Sequence, residues 1–122
     1  MSDITAANVL VTQTFKDESP GLCQNGDSLN TPSVSIDGKG TLTYPTYGIS
    51  VPDLSQFRLK FGITRILISP PADGYFWIYD KTVRTANPVA PHGTFRAFAL
   101  NGGAEMSGVV AAVVLDLIVI GA

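Results

Sequence analysis

The alternation of apolar and polar positions is clearest in the stretch Phe61–Asp80. Two segments in it, Ile63–Ser69 and Tyr75–Asp80, alternate with a period of two, which is the repeat of a β-strand. Both are rich in the β-branched and aromatic side chains that favour strands. The turn Pro70–Gly74 between them ends in Asp-Gly. The pattern therefore predicts a hairpin at the centre of the molecule.

One face of each predicted strand collects the large apolar side chains. Ile66 and Ile68 share a face of the first strand, and the second carries Trp77, the only Trp of the chain. A later segment, Thr94–Leu100, alternates in the same way. The residues that we expect to form the core scaffold are Ile66, Ile68, Tyr75, Trp77, Tyr79, Phe95, Leu115 and Leu117.

The run Val109–Ile120 is apolar on both faces except at Asp116. A strand of this kind is normally central in its sheet or covered on each side. A carboxylate in such a run is costly unless it meets a cation or faces solvent. Two interpretations of Asp116 are therefore equally open. Its carboxylate forms an ion pair with Arg65 or Arg96, or it lies at the surface and faces solvent.

Weaker patterns predict further strands. Asn8–Phe15 is a first strand, and the Asp-Gly turn between Pro32–Asp37 and Thr41–Tyr44 predicts a second hairpin. Lys81–Ala86 is expected to be a return strand after the central hairpin. Short strands separated by turns rich in Gly and Pro predict an all-β fold, a single antiparallel domain over residues 1–122 that is a β-sandwich, jelly-roll-like or barrel-like.

The composition points to association with other chains. Hydrophobic residues make up 45% of the 122 residues and charged residues only 15%, which is apolar for so small a monomer. The contact elements that we expect are a possible N-terminal arm, residues 1–8, and a long polar surface loop, residues 16–31. The predicted partner contacts are Ile4, Val9, Leu22 and Leu29.

The charge of the chain argues against nucleic acid as a partner, and the length of its apolar run argues against a membrane-spanning helix. The net charge is −2 and the eight Lys and Arg residues are scattered, whereas a nucleic-acid binder needs a basic patch. The apolar run Gly108–Ala122 is shorter than the roughly 20 residues of a membrane-spanning helix. Cys23 is the only Cys, so an intrachain disulfide is impossible and a reducing compartment is expected.

The residues indicate no enzyme. One His and one Cys cannot complete a tetrahedral zinc site, and His92 has no nucleophile motif beside it. We therefore predict no metal, no cofactor and no small-molecule substrate. The row Tyr75, Trp77 and Tyr79 is compatible with a sugar-stacking platform, as in carbohydrate-binding modules, although packing in the core is the more common role of such a row.

Four blocks of the chain carry a resemblance to a known group of proteins. They are GTLTYPTYGISV (Gly40–Val51), GITRILI (Gly62–Ile68), GYFWIYDKTVRTA (Gly74–Ala86) and LDLIVIGA (Leu115–Ala122). In this pattern of a Gly-punctuated β chain with an apolar closing strand, residues 32–122 resemble the small virion structural proteins of tailed bacteriophages, which are often head decoration or cement proteins.

The resemblance implies a protein that binds the capsid exterior, stabilises the junctions between capsomers and is located in the virion after assembly in the bacterial cytoplasm. Its partners would be the major capsid protein and copies of itself, with a trimer favoured. Two alternatives stay open: a tail or head–tail completion protein of the virion, and a carbohydrate-binding β module.

Overall fold

The computed structural model describes residues 3–17, 28–69, 74–86 and 89–122, and the backbone alone of residues 13–17. The strands in chain order are β1 (Val9–Asp17), β2 (Ser28–Ile36), β3 (Ile49–Ser50), β4 (Ile63–Ile68), β5 (Tyr75–Asp80), β6 (Thr94–Ala99) and β7 (Val113–Gly121). Two 3-10 helices, Ala6–Asn8 and Leu54–Phe57, complete the regular structure of this part of the chain.

The seven strands form two antiparallel sheets. One has four strands in the order β1-β2-β7-β4, and the other has three in the order β3-β6-β5. The two open sheets fit a β-sandwich, which confirms the predicted all-β antiparallel fold. No helix within the described ranges is long and apolar enough to cross a membrane.

Strand β7 is one of the two interior strands of the four-stranded sheet, as its apolar sequence predicts. It pairs with β2 on one side and β4 on the other, with Leu115 opposite Val34 and Leu117 opposite Ile68. Buried and exposed residues alternate along it. Of the two expected situations, a central place in the sheet or cover on each side, the structure gives the first, and Val114 on the outer face is 62% exposed.

The predicted central hairpin is wrong in its pairing, although both strands exist. β4 belongs to the four-stranded sheet and pairs with β7, while β5 belongs to the three-stranded sheet and pairs with β6. The two consecutive strands therefore belong to different sheets. Both arrangements bury one face of each strand, so the period of two is the same for a hairpin and for a sheet-to-sheet connection.

The other two predicted pairings are also replaced. Both edges of β2 are taken by β1 and β7, so the segment 41–44 cannot add to it, and Thr43 instead forms single bridges with Asp3 and Val109. The expected return strand at 81–86 is reduced to one bridge between Arg84 and Ala90.

The core lies between the two sheets. All eight predicted scaffold residues belong to it: Ile66, Trp77, Phe95, Leu115 and Leu117 are buried, and Ile68, Tyr75 and Tyr79 are half-buried and pack against it. The 3-10 helix Leu54–Phe57 inserts Phe57 into the same cluster.

Candidate functional site

The outer face of the four-stranded sheet carries a row of exposed apolar side chains, which we call the outer strip: Leu10, Leu67, Val114 and Ile118. Strand register brings them together. Leu67 of β4 lies opposite Ile118 of β7, while Ser35 of β2 separates Val114 of β7 from Leu10 of β1. Apolar side chains that share a face and remain exposed are typical of a surface that meets another chain.

Asp116 lies in the middle of the outer strip, between Val114 and Ile118 along β7. Its Oδ1 accepts a hydrogen bond of 2.7 Å from the Ser33 hydroxyl. Its backbone N–H donates to the Ser69 hydroxyl and its C=O accepts from the Ser69 N–H. Of the two positions left open by the sequence, the structure gives Asp116 the exposed one.

Neither of the two arginines considered as partners of Asp116 pairs with it. Arg96 is on the other sheet and is bound to Glu105 and Asp80. Arg65 is exposed on β4, in register with Ile120. Arg65 is therefore an exposed cation at the border of the outer strip, and Asp116 is an exposed anion within it.

Charged side chains form a separate network on the three-stranded sheet. Arg96 of β6 donates to Glu105 at 2.7 and 3.0 Å and to Asp80 of β5 at 3.2 Å. Arg84 also approaches Asp80, and its guanidinium carbon lies 3.9 Å from the centre of the Tyr47 ring. The network ties β5, β6 and two loops together.

The protonation states within this network follow from its hydrogen bonds. Donation by Arg96 lowers the pKa of Glu105, and the backbone N–H of Thr82 lowers the pKa of Asp80. Burial, with a 2.6 Å hydrogen bond to Glu105, raises the pKa of Tyr44 well above its ordinary value. Both carboxyls are therefore anionic and Tyr44 neutral at pH 7.

A cavity of about 140 Å³ opens beside Trp77. It is lined by Tyr75 and Trp77 and by residues of the segment 106–113, among them Met106 and Val113. Trp77 is 6% exposed and its indole Nε1 is buried without a hydrogen-bond acceptor from the described residues. The aromatic row thus faces the core and does not form a flat platform on the surface.

The predicted partner contacts lie elsewhere than expected. Ile4 is 1% exposed and Val9 is buried, because both side chains pack into the chain's own core, and the Ile4 N–H donates to the Thr43 carbonyl. Residues 3–8 are thus held against the sandwich, and a role for these two side chains as partner contacts is replaced by a role in the core. Leu29 is half-buried in β2.

The predicted loop 16–31 is shorter than expected, because residues 16–17 belong to β1 and residues 28–31 to β2. Leu22 and the remainder of this loop lie outside the described residues.

The sequence interpretation missed the outer strip. Its members were assigned to strands, but the last strand was expected to be central or covered on each side, and this alternative did not identify an exposed apolar face. The signal that points to the strip is the high apolar content of the chain combined with alternation in β7 and β4.

Within the described residues, no three His, Cys, Asp or Glu side chains are grouped so as to hold a metal ion. Comparison of the chain with protein-family models, with curated proteins and with solved structures gave no match. The function is therefore inferred from the geometry of this chain and from the resemblance of its sequence blocks.

Proposed function

We propose that this protein is a structural protein of a tailed-bacteriophage virion, of the capsid decoration type, that self-associates and binds the major capsid protein on the capsid exterior. The observation that carries the proposal is the outer strip. It places four large apolar side chains on one exposed sheet face of a small domain. A decoration protein needs such a rigid β scaffold and a surface that binds neighbouring chains more than it needs a catalytic site.

The occupant that fits the outer strip is a second copy of this chain. Association buries the apolar side chains, which is favourable in proportion to the area removed from water. Arg65 at the border of the strip and Asp116 within it carry opposite charges. If two copies face each other with their strands reversed, Arg65 of one approaches the aspartate of the other, so the face is self-complementary.

Sedimentation velocity tests the self-association. The contact between reversed strands closes as a dimer, so we expect the wild-type protein to sediment at twice its chain mass of 12.9 kDa. The trimer that the resemblance favours would require a heterologous contact instead, and three times the chain mass would contradict the reversed arrangement. Val114→Lys should yield monomers, because a charge is then forced into the buried contact. Val83→Lys is the matched control, since Val83 is 64% exposed, like Val114, but lies outside the outer strip.

A monomeric wild-type protein, or equal dissociation of the two variants, would contradict a role of the outer strip in self-association. Cryo-EM of capsids assembled with the major capsid protein of the same phage tests the attachment. Density at capsomer junctions is the expected result. Bare capsids beside free rings of this protein would overturn the capsid assignment in favour of a tail or head–tail completion protein.

A further inference from the structure

The turn at residues 100–103 follows β6 and shares no residue with the outer strip, so it plays no part in the proposed function. It contains the pair Asn101-Gly102, in which a side-chain amide precedes a residue without a side chain. We propose that Asn101 is a site of spontaneous covalent modification. Its carboxamide reacts with the backbone nitrogen that follows it, and water converts the product into aspartate and isoaspartate.

The reaction needs water as its only co-reactant. Hydroxide removes the proton of the Gly102 backbone nitrogen, which then attacks Cγ of Asn101, so that a new N–Cγ bond closes an imide ring. The Cγ–Nδ2 bond breaks, and its nitrogen takes a proton from water and leaves as ammonia. Water then opens the ring at Cγ to give aspartate, or at the main-chain carbonyl carbon to give isoaspartate. Either product has a carboxylate in place of the amide, and no group is oxidised or reduced.

Both reacting groups of the turn are free of hydrogen bonds to the residues that the structure describes. Asn101 and Gly102 are exposed, and neither the side-chain amide of the first nor the N–H of the second has a partner there. The N–H of the next residue, Gly103, donates to the carbonyl of Ala99 at 3.1 Å. A nitrogen bound in this way would have to give up its hydrogen bond before it could react, which the Gly102 nitrogen does not.

The turn also has room for the ring and for both products. Gly102 has a φ of +89°, and an added Cβ would meet no heavy atom within 4 Å apart from its chain neighbours. Because glycine carries no Cβ, no side chain hinders the attacking nitrogen. The new carboxylate faces water, and the isoaspartyl backbone, which is longer by one carbon, can extend into solvent.

Two other asparagines of the described chain lack this combination. Asn8 is exposed, but the nitrogen that follows it belongs to the β-branched Val9 and donates to the carbonyl of Ala6. Asn30 is fully buried, and its amide donates to the carbonyl of Phe57. The structure therefore assigns the modification to the turn and excludes it at these two positions.

Peptide mapping of the folded protein tests the proposal. Trypsin cleaves after Arg96, and residues 97–122 then form one peptide in which Asn101 is the only amide side chain. After incubation at mildly alkaline pH, this peptide should show the mass increase of an amide-to-acid conversion and accept methyl groups from an isoaspartate-specific methyltransferase. The conversion should become faster as the hydroxide concentration rises, and the peptide of residues 1–16, which contains Asn8, should keep its mass.

The two glycines of the turn give a matched pair of variants. Both have positive φ, +89° for Gly102 and +74° for Gly103, with open space around them, so alanine brings a similar backbone strain at either position. Only Gly102→Ala places a methyl group beside the attacking nitrogen. It should slow the conversion several-fold, whereas Gly103→Ala should convert at nearly the wild-type rate. Asn101→Gln, which would have to close a larger ring, should keep its mass over the same time.

A synthetic peptide of residues 97–106 in the same buffer gives the rate without the fold. A folded protein that keeps its amide while this peptide converts would overturn the proposal, because the turn then holds the carboxamide away from the nitrogen. Equal rates in the Gly102→Ala and Gly103→Ala variants would overturn it as well. The comparison with the peptide uses the wild-type chain alone, so it decides the question even if a variant fails to fold.

Discussion

Asn30 is a fully buried polar residue whose side chain joins two elements of the fold. Its amide nitrogen donates to the backbone carbonyl of Phe57, and so fixes the 3-10 helix Leu54–Phe57 against β2. Asn30→Asp replaces this donor by a buried carboxylate that faces a carbonyl oxygen. We expect a loss of about 2–4 kcal/mol in the free energy of unfolding, measured with urea at pH 7.

Asn8→Asp is the matched control for this change. Asn8 is exposed, and its Oδ1 accepts from the backbone N–H of Thr5 at 2.9 Å, a task that a carboxylate also performs. The control should alter stability by less than about 0.5 kcal/mol. An equal effect of the two substitutions would show that the Asn30 hydrogen bond does not stabilise the fold.

Gly93 marks a place where only glycine fits. Its φ is +92°, and an added Cβ would contact the backbone carbonyl of Asp80 and lie 2.9 Å from the Tyr79 ring. Gly40 has a φ of +76° but open space around it. Gly40→Ala should therefore cost only the strain of the left-handed backbone, about 1–2 kcal/mol, and Gly93→Ala should cost more, as measured by thermal and urea unfolding. Equal losses would mean that the clash at Gly93 relaxes freely.

At the scale of the elements, local pattern predicted where most strands lie but not which strands pair. β4, β5, β6 and β7 were expected within a few residues of their observed bounds, because alternation is a local property. Pairing depends on contacts between distant parts of the chain, such as Leu67 with Ile118. The sequence between the two segments therefore indicated a hairpin, whereas β4 pairs with β7 and β5 pairs with β6 in the other sheet.

The candidate sites also have features that the sequence predicts and features that it does not. The inward direction of Trp77 could be predicted, because an aromatic row on one face of a strand is commonly packed in a core. The exposure of Val114 and Ile118 could not, because both faces of β7 are apolar. Which face remains uncovered is decided by the position of the second sheet.

The central position of β7 makes a prediction about local stability. Both of its edges are hydrogen-bonded, to β2 and to β4, whereas β1 is an edge strand. Amides of Leu115 and Leu117 should therefore exchange with solvent only when the whole domain unfolds, while every second amide of β1 exchanges through local opening. Hydrogen exchange followed by NMR measures both. Equal protection along β1 and β7 would contradict this order of stability.

At the scale of the whole molecule, the network around Arg96 predicts how stability depends on pH. The pKa values of Asp80 and Glu105 are lower in the folded state than in the unfolded chain. Their contribution is therefore present above the ordinary carboxyl pKa and is lost as the pH falls below about 4. The pKa of Tyr44 is raised, so its contribution is lost as the pH rises above about 10.

The free energy of unfolding in urea, measured at a series of pH values, tests the predicted losses of stability at acid and at alkaline pH. The acid limb is the part of the profile below about pH 4 in which the free energy of unfolding falls. Glu105→Gln should make this fall smaller, because position 105 then carries no titrating carboxyl. Asp53→Asn, at an exposed position, neutralises a carboxyl that takes no part in the Arg96 network and should leave the acid limb almost unchanged. An acid limb that is identical in the two variants would exclude Glu105 as its source.

The placement of β7 between β2 and β4 also bears on how the protein is made. Synthesis proceeds from β1 onward, so β2 and β4 both leave the ribosome before the strand that joins them. Until β7 emerges, each nascent strand has an unsatisfied backbone edge and an uncovered apolar face. This is the state in which chains aggregate and chaperones bind. The yield of soluble protein should thus depend on chaperone capacity in the producing cell.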